Sequence, residues 1–237
     1  MKGIETFPRW LSALTVLCLT VSTGWSSTIV FSNTASQDFG TYPGSDRSTD
    51  FTCILADDLL PAPGYEGWMV NRFGVQIRSS SSSTVSFQAF ARFWSQSANG
   101  LPGAYLSGYD FGTIALDPGE TRWLEAAIGG FALPAETLWA GMQFRLFDFF
   151  SAIPEVVVAD PPDIGTSNNY FFFSDASADL AGVDNPSGGL YWFGGSPIAN
   201  FAWVIEAIPV AVPEPGTLML LGTGLAGFGV AAWRRRK

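Results

Sequence analysis

Apolar and polar residues alternate along several stretches in the middle of the chain. From 85 to 93 every second residue is apolar, and mostly small or polar residues lie between them. Because successive side chains of a strand point to opposite faces, this spacing predicts a strand with one buried face. The same alternation recurs in three further stretches: 69–78, 138–146 and 201–205.

Shorter apolar runs, separated by turns rich in Gly, Pro, Asn and Asp, predict additional strands. They fall at 28–33, 51–56, 109–116, 121–128, 155–159, 169–174 and 190–193. No internal stretch shows a sustained 3.6-residue period, which argues against long amphipathic helices. About ten short strands in one domain predict an all-β fold, a jelly-roll-like antiparallel β-sandwich covering residues 28–208.

The N-terminal segment has the pattern of a secretory signal peptide. Lys2 and Arg9 precede an apolar run over 10–21, and small residues follow it. This order predicts a signal peptide over residues 1–26, with cleavage between positions 24 and 27 and export through the Sec translocon. Its removal leaves Cys53 as the single cysteine of the mature chain, either a core residue or a reactive or intermolecular thiol.

The net charge of the mature chain limits the classes of molecule that it can bind. Between the two terminal segments there are six arginines, no lysine and 19 acidic residues, a net charge of −13. A surface of this sign repels nucleic acid and suits cations or neutral polysaccharides. The chain contains no histidine, which excludes Ser-His-Asp and Cys-His catalysis and Cys/His metal sites.

The C-terminal segment combines an apolar run with a basic end. Residues 216–233 carry no charge, and a helix of this length spans about 27 Å, close to a thin bilayer core. By the positive-inside rule the following cations keep the C-terminus cytoplasmic; they are Arg234, Arg235, Arg236 and Lys237. A plain membrane anchor or a buried helix with a basic end would give the same two features.

Three residues in front of this run add a further signal. Pro213 and Pro215 flank Glu214 and hold the backbone extended and unpaired. The order of Pro-Glu-Pro, apolar span and terminal cations over 212–237 resembles the PEP-CTERM sorting signal. The resemblance implies recognition by an exosortase, a membrane enzyme of mostly Gram-negative bacteria that produce exopolysaccharide. It also implies removal of the tail and release or transfer of the remaining domain to the cell surface.

Tryptophan is frequent in this chain, with nine residues. Exposed aromatic faces can stack on sugar rings, and three tryptophans outside the terminal signals are candidates for such a platform: Trp94, Trp123 and Trp192. Trp94 falls on the polar-facing set of its strand, which favours exposure. The alternative for each of them is packing in the core or over a sheet edge.

Acidic residues suggest two other kinds of site. A structural calcium ion would need several loop oxygens, and compatible residues are Asp57, Asp58, Asp184 and Asn185. These residues lack EF-hand spacing, and ordinary solvated turn residues are the default interpretation; no other cofactor is expected. A glycosidase would need two carboxyl groups about 5–10 Å apart, and the sequence does not identify such a pair.

These features together predict a secreted, non-enzymatic protein. We expect the sandwich to be sorted through its C-terminal signal to the cell surface or the extracellular (biofilm) matrix, after transient anchoring in the inner membrane. There it would serve a structural or adhesive role in contact with exopolysaccharide. A lectin-like glycan-binding module is the main alternative, and a carboxylate-dependent glycosidase is a further one.

Overall fold

The described part of the chain is built entirely from strands and their connections. The computed structural model describes residues 26–34, 40–43, 50–147, 153–159, 161–175, 177–192 and 200–210. Within these ranges the strands are β1 Thr28–Ser32, β2 Gly40–Pro43, β3 Leu55–Leu60, β4 Met69–Arg78, β5 Val85–Gln96, β6 Pro102–Leu116, β7 Thr121–Ala132, β8 Leu138–Leu146, β9 Glu155–Ala159, β10 Thr166–Ser174, β11 Gly188–Trp192, β12 Asn200–Phe201 and β13 Trp203–Ile208.

The strands form two antiparallel sheets. Sheet A has the order β1-β13-β4-β9-β12, with β7 also paired to β4 and β2 to β9. Sheet B has the order β11-β10-β3-β8-β5-β6. The chain changes sheet at most connections, so that neighbours in a sheet are often distant in sequence. The prediction of an all-β, two-layer antiparallel sandwich is therefore confirmed, whereas its jelly-roll character stays a prediction.

The core lies between the two sheets and follows the alternation in the sequence. The inward residues predicted for β5 and β8 are all buried there, as are Phe73, Trp203 and Ile205 of sheet A. Phe73 contacts the rings of Phe93 and Trp203 at 4.9 and 6.1 Å between centroids, which joins the sheets through aromatic packing.

One predicted strand lies elsewhere. The structure places β3 at Leu55–Leu60 rather than at 51–56, so the strand runs through both Asp57 and Asp58. Cys53 lies just before β3, and its side chain is buried.

The segments predicted as signal peptide (1–26) and membrane span (216–233) lie outside the described residues, apart from position 26. Within the described ranges, no helix has the length and apolar character needed to cross a membrane.

Candidate functional site

A polar loop covers the centre of the outer face of sheet B. Residues 177–187, which we call the strap, leave β10 and return to β11 after crossing β8, β5 and β6. Its backbone and side chains bond to all three strands: Gln143 Nε2 donates to Ala178 O at 2.6 Å, Arg92 Nη2 to Asp179 Oδ1 at 3.1 Å, and Tyr105 N to Asp184 Oδ1 at 2.6 Å. The outer side chains of Gln143 and Arg92 are thereby buried.

Trp94 lies beneath the strap. Its side chain is 0% exposed, and its indole Nε1 donates to Val183 O of the strap at 2.8 Å. It packs in a cluster with Trp139, Phe172 and Leu180. The expectation that Trp94 is exposed on the polar face of β5 is therefore wrong, because a loop nearly 90 residues away in sequence covers that face. This ring is unavailable for stacking on a ligand.

Aromatic side chains are exposed where the strap ends, at the edge of the same sheet. Tyr170 of β10 and Trp192 of β11 are directly opposite each other in the antiparallel register, and they are 49% and 65% exposed. Leu190, two residues before Trp192 and therefore on the same face, is 45% exposed. We call these three residues the edge patch. Large apolar side chains grouped at a surface indicate a contact site for a ligand or partner.

Polar groups border the edge patch on the side that is nearer to the centre of sheet B. Asn168 is exposed on β10, two residues before Tyr170. Its backbone N–H donates to Asp58 Oδ1 at 3.0 Å, and its side-chain amide donates to the other carboxylate oxygen. Asp58 is itself opposite Trp139, at the boundary between the covered and the exposed parts of the face. The edge of sheet B therefore places an exposed apolar surface beside a positioned amide.

Asp57 points the other way, between the sheets. Its Oδ2 accepts the backbone N–H of Phe201 at 2.8 Å, and Phe201 belongs to β12 of sheet A. Ser167 Oγ lies within 3.3 Å of Asp57 Oδ1 and 3.0 Å of Asp58 Oδ1. The buried carboxylate of Asp57 therefore connects β3 of sheet B to β12 of sheet A at this end.

Burial perturbs both carboxyl groups. It raises the pKa of Asp57 well above the ordinary value, and the neighbouring charge of Asp58 raises it further, while bonds from Phe201, Asp58 and Ser167 lower it by less. Burial also raises the pKa of Asp58, against the bonds from Asn168 and Ser167. Loss of hydration disfavours the charged form of a carboxyl group, which explains the common direction.

The residues proposed for calcium do not converge. Asp57 and Asp58 lie on β3, whereas Asp184 bonds to β6, three strands away in sheet B and about 14 Å distant at ordinary strand spacing. Asn185 adopts a left-handed φ of 48°, and its N–H donates to Gly103 O at 2.7 Å. Among the described residues, no group of three or more His, Cys, Asp or Glu side chains is arranged to hold a metal ion.

Trp123 lies on the opposite side of the molecule, on the outer face of sheet A. It is half-buried and packs against Val157, Ala159 and Ala202. Of the three tryptophans selected from the sequence, one is buried, one is half-buried and one is exposed. Tyr170 and Leu190 were not selected, although the bulky residues on both faces of the 168–174 segment were a signal that one face needed a cover or a ligand.

The comparison with known families concerns the C-terminal segment. The PEP-CTERM protein-sorting motif matches residues 211–237, which confirms the resemblance drawn from Pro213, Glu214, Pro215 and the terminal cations. The motif indicates an exosortase-sorted extracellular protein. These residues lie outside the described ranges, so their geometry is not part of the site. No curated protein matches the chain.

Proposed function

We propose that this protein is a non-enzymatic component of the cell envelope or extracellular matrix that contacts exopolysaccharide through the edge patch. Export by the Sec translocon, transient anchoring with a cytoplasmic C-terminus, and removal of the tail by an exosortase bring the sandwich to that location. Its role there is structural or adhesive, and a lectin-like selectivity for particular glycans is the alternative.

The observation that carries the proposal is the cross-strand pair of Tyr170 and Trp192. Both rings are about half-exposed or more and stand on strands of one sheet, so their spacing is held by backbone hydrogen bonds. Rigid aromatic side chains offer large contact areas at low cost in conformational entropy. The apolar faces of sugar rings match such a surface, and the adjacent Asn168 amide supplies a polar contact.

A non-enzymatic role fits the buried acids. The Asp57 carboxylate is 0% exposed and accepts bonds from a strand backbone and from Ser167. A general acid or base must reach the reacting group of the substrate, and this carboxylate does not reach solvent. We therefore assign the adjacent pair of acids to folding rather than to hydrolysis of a glycan.

Sorting is tested by the intact mass of the protein from a host with an exosortase. We expect a mass that lacks the segment after the Pro-Glu-Pro motif, including Arg234 to Lys237. In a strain without the exosortase, the tail should remain. A full-length mass in the exosortase-positive host would contradict processing.

Binding is tested with the processed protein and exopolysaccharide from the same host. Trp192→Ala should weaken binding at least about tenfold, which corresponds to about 1.4 kcal/mol and is within the range for an aromatic anchor. Phe147→Ala is the matched control, because Phe147 is 57% exposed but lies outside the edge patch. Equal losses in both variants, or none in either, would contradict the proposal.

A further inference from the structure

The outer face of sheet A carries a groove of about 220 Å³. Three strands form it: β13 and β7 lie on the two sides of β4. Its lining combines apolar and charged side chains, principally Arg72, Gly74, Trp123, Glu125, Val204 and Glu206. Pockets for drug-sized ligands have volumes of about 300–1,000 Å³, so this groove has room for a single ring-sized group.

Gly74 forms the floor and keeps the groove open. It lies in the middle of β4, opposite Val204 and Glu125 in the two registers. A Cβ atom at this position would contact Trp123 Cε3 and Glu125 Cγ, each at 3.4 Å. Its φ is not in the left-handed region, so the backbone does not require glycine. A glycine inside a strand weakens it and often marks the close approach of a ligand.

Trp123 and Arg72 are both held in place. The Trp123 side chain packs against Val157, Ala159 and Ala202, and its Cε3 atom lies beside the floor at Gly74. Arg72 bonds to Glu125 and lies 3.7 Å from a carboxylate oxygen of Glu206. The pairing of β4 shifts at this point with both neighbouring strands, and such bulges redirect side chains at binding sites.

From this geometry we infer that the groove is a second carbohydrate-binding site, which takes one uncharged pyranose unit. The ring would lie over Gly74 with an apolar face against Trp123. Glu125 and Glu206 accept hydrogen bonds from sugar hydroxyls. The guanidinium of Arg72 has five N–H donors and can bond to both carboxylates and to a sugar oxygen. The inference deepens the proposed contact with polysaccharide by naming its chemical class.

The charges of the groove disfavour charged small ligands. Two glutamates repel uronic acids and phosphate, because a like charge at short range is unfavourable. Arg72 occupies the position between the carboxylates that a cationic amine would need. Since the groove and the edge patch lie on the outer faces of different sheets, one domain can hold two polysaccharide segments and connect them.

The test uses the processed protein carrying Trp192→Ala, so that the edge patch does not contribute. The indole N–H signal of Trp123 is followed by NMR during titration with neutral methyl pyranosides. We expect a saturable shift with millimolar affinity, since one ring offers few contact atoms. Gly74→Val, which fills the floor, should weaken this binding by about tenfold or more. Gly74→Ala should weaken it to a smaller extent.

Gly129→Val is the matched control. Gly129 also lies in sheet A, on β7, and nothing lies within 4 Å of a Cβ built there; binding should be unchanged. The inference is overturned if no pyranoside shifts the signal, if Gly74→Val binds as well as the control, or if methyl glucuronide or putrescine binds equally well. If the Trp192→Ala variant binds polysaccharide as tightly as the wild-type protein, the role of the edge patch is contradicted and the inference about the groove is not.

Discussion

Trp94 and Trp192 belong to the same face of the same sheet and have opposite environments. Trp94 on β5 is fully buried, with its indole N–H bonded to the strap. Trp192 on β11 is 65% exposed beside Tyr170. The strap crosses β8, β5 and β6, whereas Tyr170, Leu190 and Trp192 at the β10–β11 edge are exposed in the described part of the chain. The covered region therefore serves stability, and the uncovered region is available for binding.

The two regions also differ in how their polar groups are satisfied. Beneath the strap, Arg92 is paired with Asp179, and Gln143 bonds to the strap backbone. At the edge, Asn168 is exposed on one side and bonded to Asp58 on the other. The side chains of Arg92 and Gln143 therefore bond to the strap, whereas the exposed side chain of Asn168 can still meet a ligand.

The largest expected effect is the loss of the buried ring. Trp94→Ala should lower the free energy of unfolding by about 3–5 kcal/mol, because it leaves a cavity and removes a bond to Val183. Trp192→Ala should change it by less than about 0.5 kcal/mol, since that ring is mostly in water. Urea unfolding of both variants measures the difference, and similar values would mean that the strap does not separate the two regions.

The next largest effect is the pH dependence of the free energy of unfolding that Asp57 causes. Asp57 is adjacent to Asp58, which lies at the boundary between the covered and exposed parts of sheet B. The pKa of Asp57 is raised in the folded state, so its contribution to stability is full below the unfolded pKa near 3.8 and is lost as the pH rises through the folded pKa. The loss over that window is at most about 1.4 kcal/mol per pH unit.

The measurement is urea unfolding at increasing pH from 4 upward, in wild type and in Asp57→Asn. The fall in stability with pH should be weaker in the variant, whose side chain does not ionise. An equal pH dependence in both proteins would show that Asp57 is not the group responsible.

A smaller effect is expected from the ion pair that fixes the strap. Asp179→Asn leaves the buried Arg92 without its carboxylate, and because Asp179 is itself half-exposed we expect a cost of about 1 kcal/mol. Hydrogen exchange of the Trp94 indole should become faster. Asp50→Asn removes the exposed pair with Arg145 and should cost about 0–0.5 kcal/mol. Equal costs would contradict the distinction between covered and exposed charges.

The sequence predicted the inner faces of the sheets well. The inward residues of β5 and β8 alternate strictly, and the core between the sheets is formed by neighbouring strands that obey the same period. The predicted range 155–159 coincides with β9. The shift of β3 has a tertiary cause: its acids are accommodated by partners 110 and 144 residues away.

The candidate site was harder to predict for the same reason. Nothing near Trp94 in sequence indicates that residues 177–187 cover it, because the strap has the composition of an exposed turn. Trp192 was selected from its own segment, but its pairing with Tyr170 depends on the register of two strands. The sorting motif could be identified from the sequence, because its recognition does not depend on any tertiary contact.

The most direct test of this account is an NMR titration that follows the indole N–H resonances of the tryptophans. The processed, isotope-labelled protein is titrated with oligosaccharides from the host exopolysaccharide while the indole N–H resonances are recorded. We predict a saturable shift of the Trp192 resonance and an unchanged, slowly exchanging Trp94 resonance. A shift of Trp94 with Trp192 unaffected, or no shift of either, would contradict the assignment of the edge patch as the contact with polysaccharide.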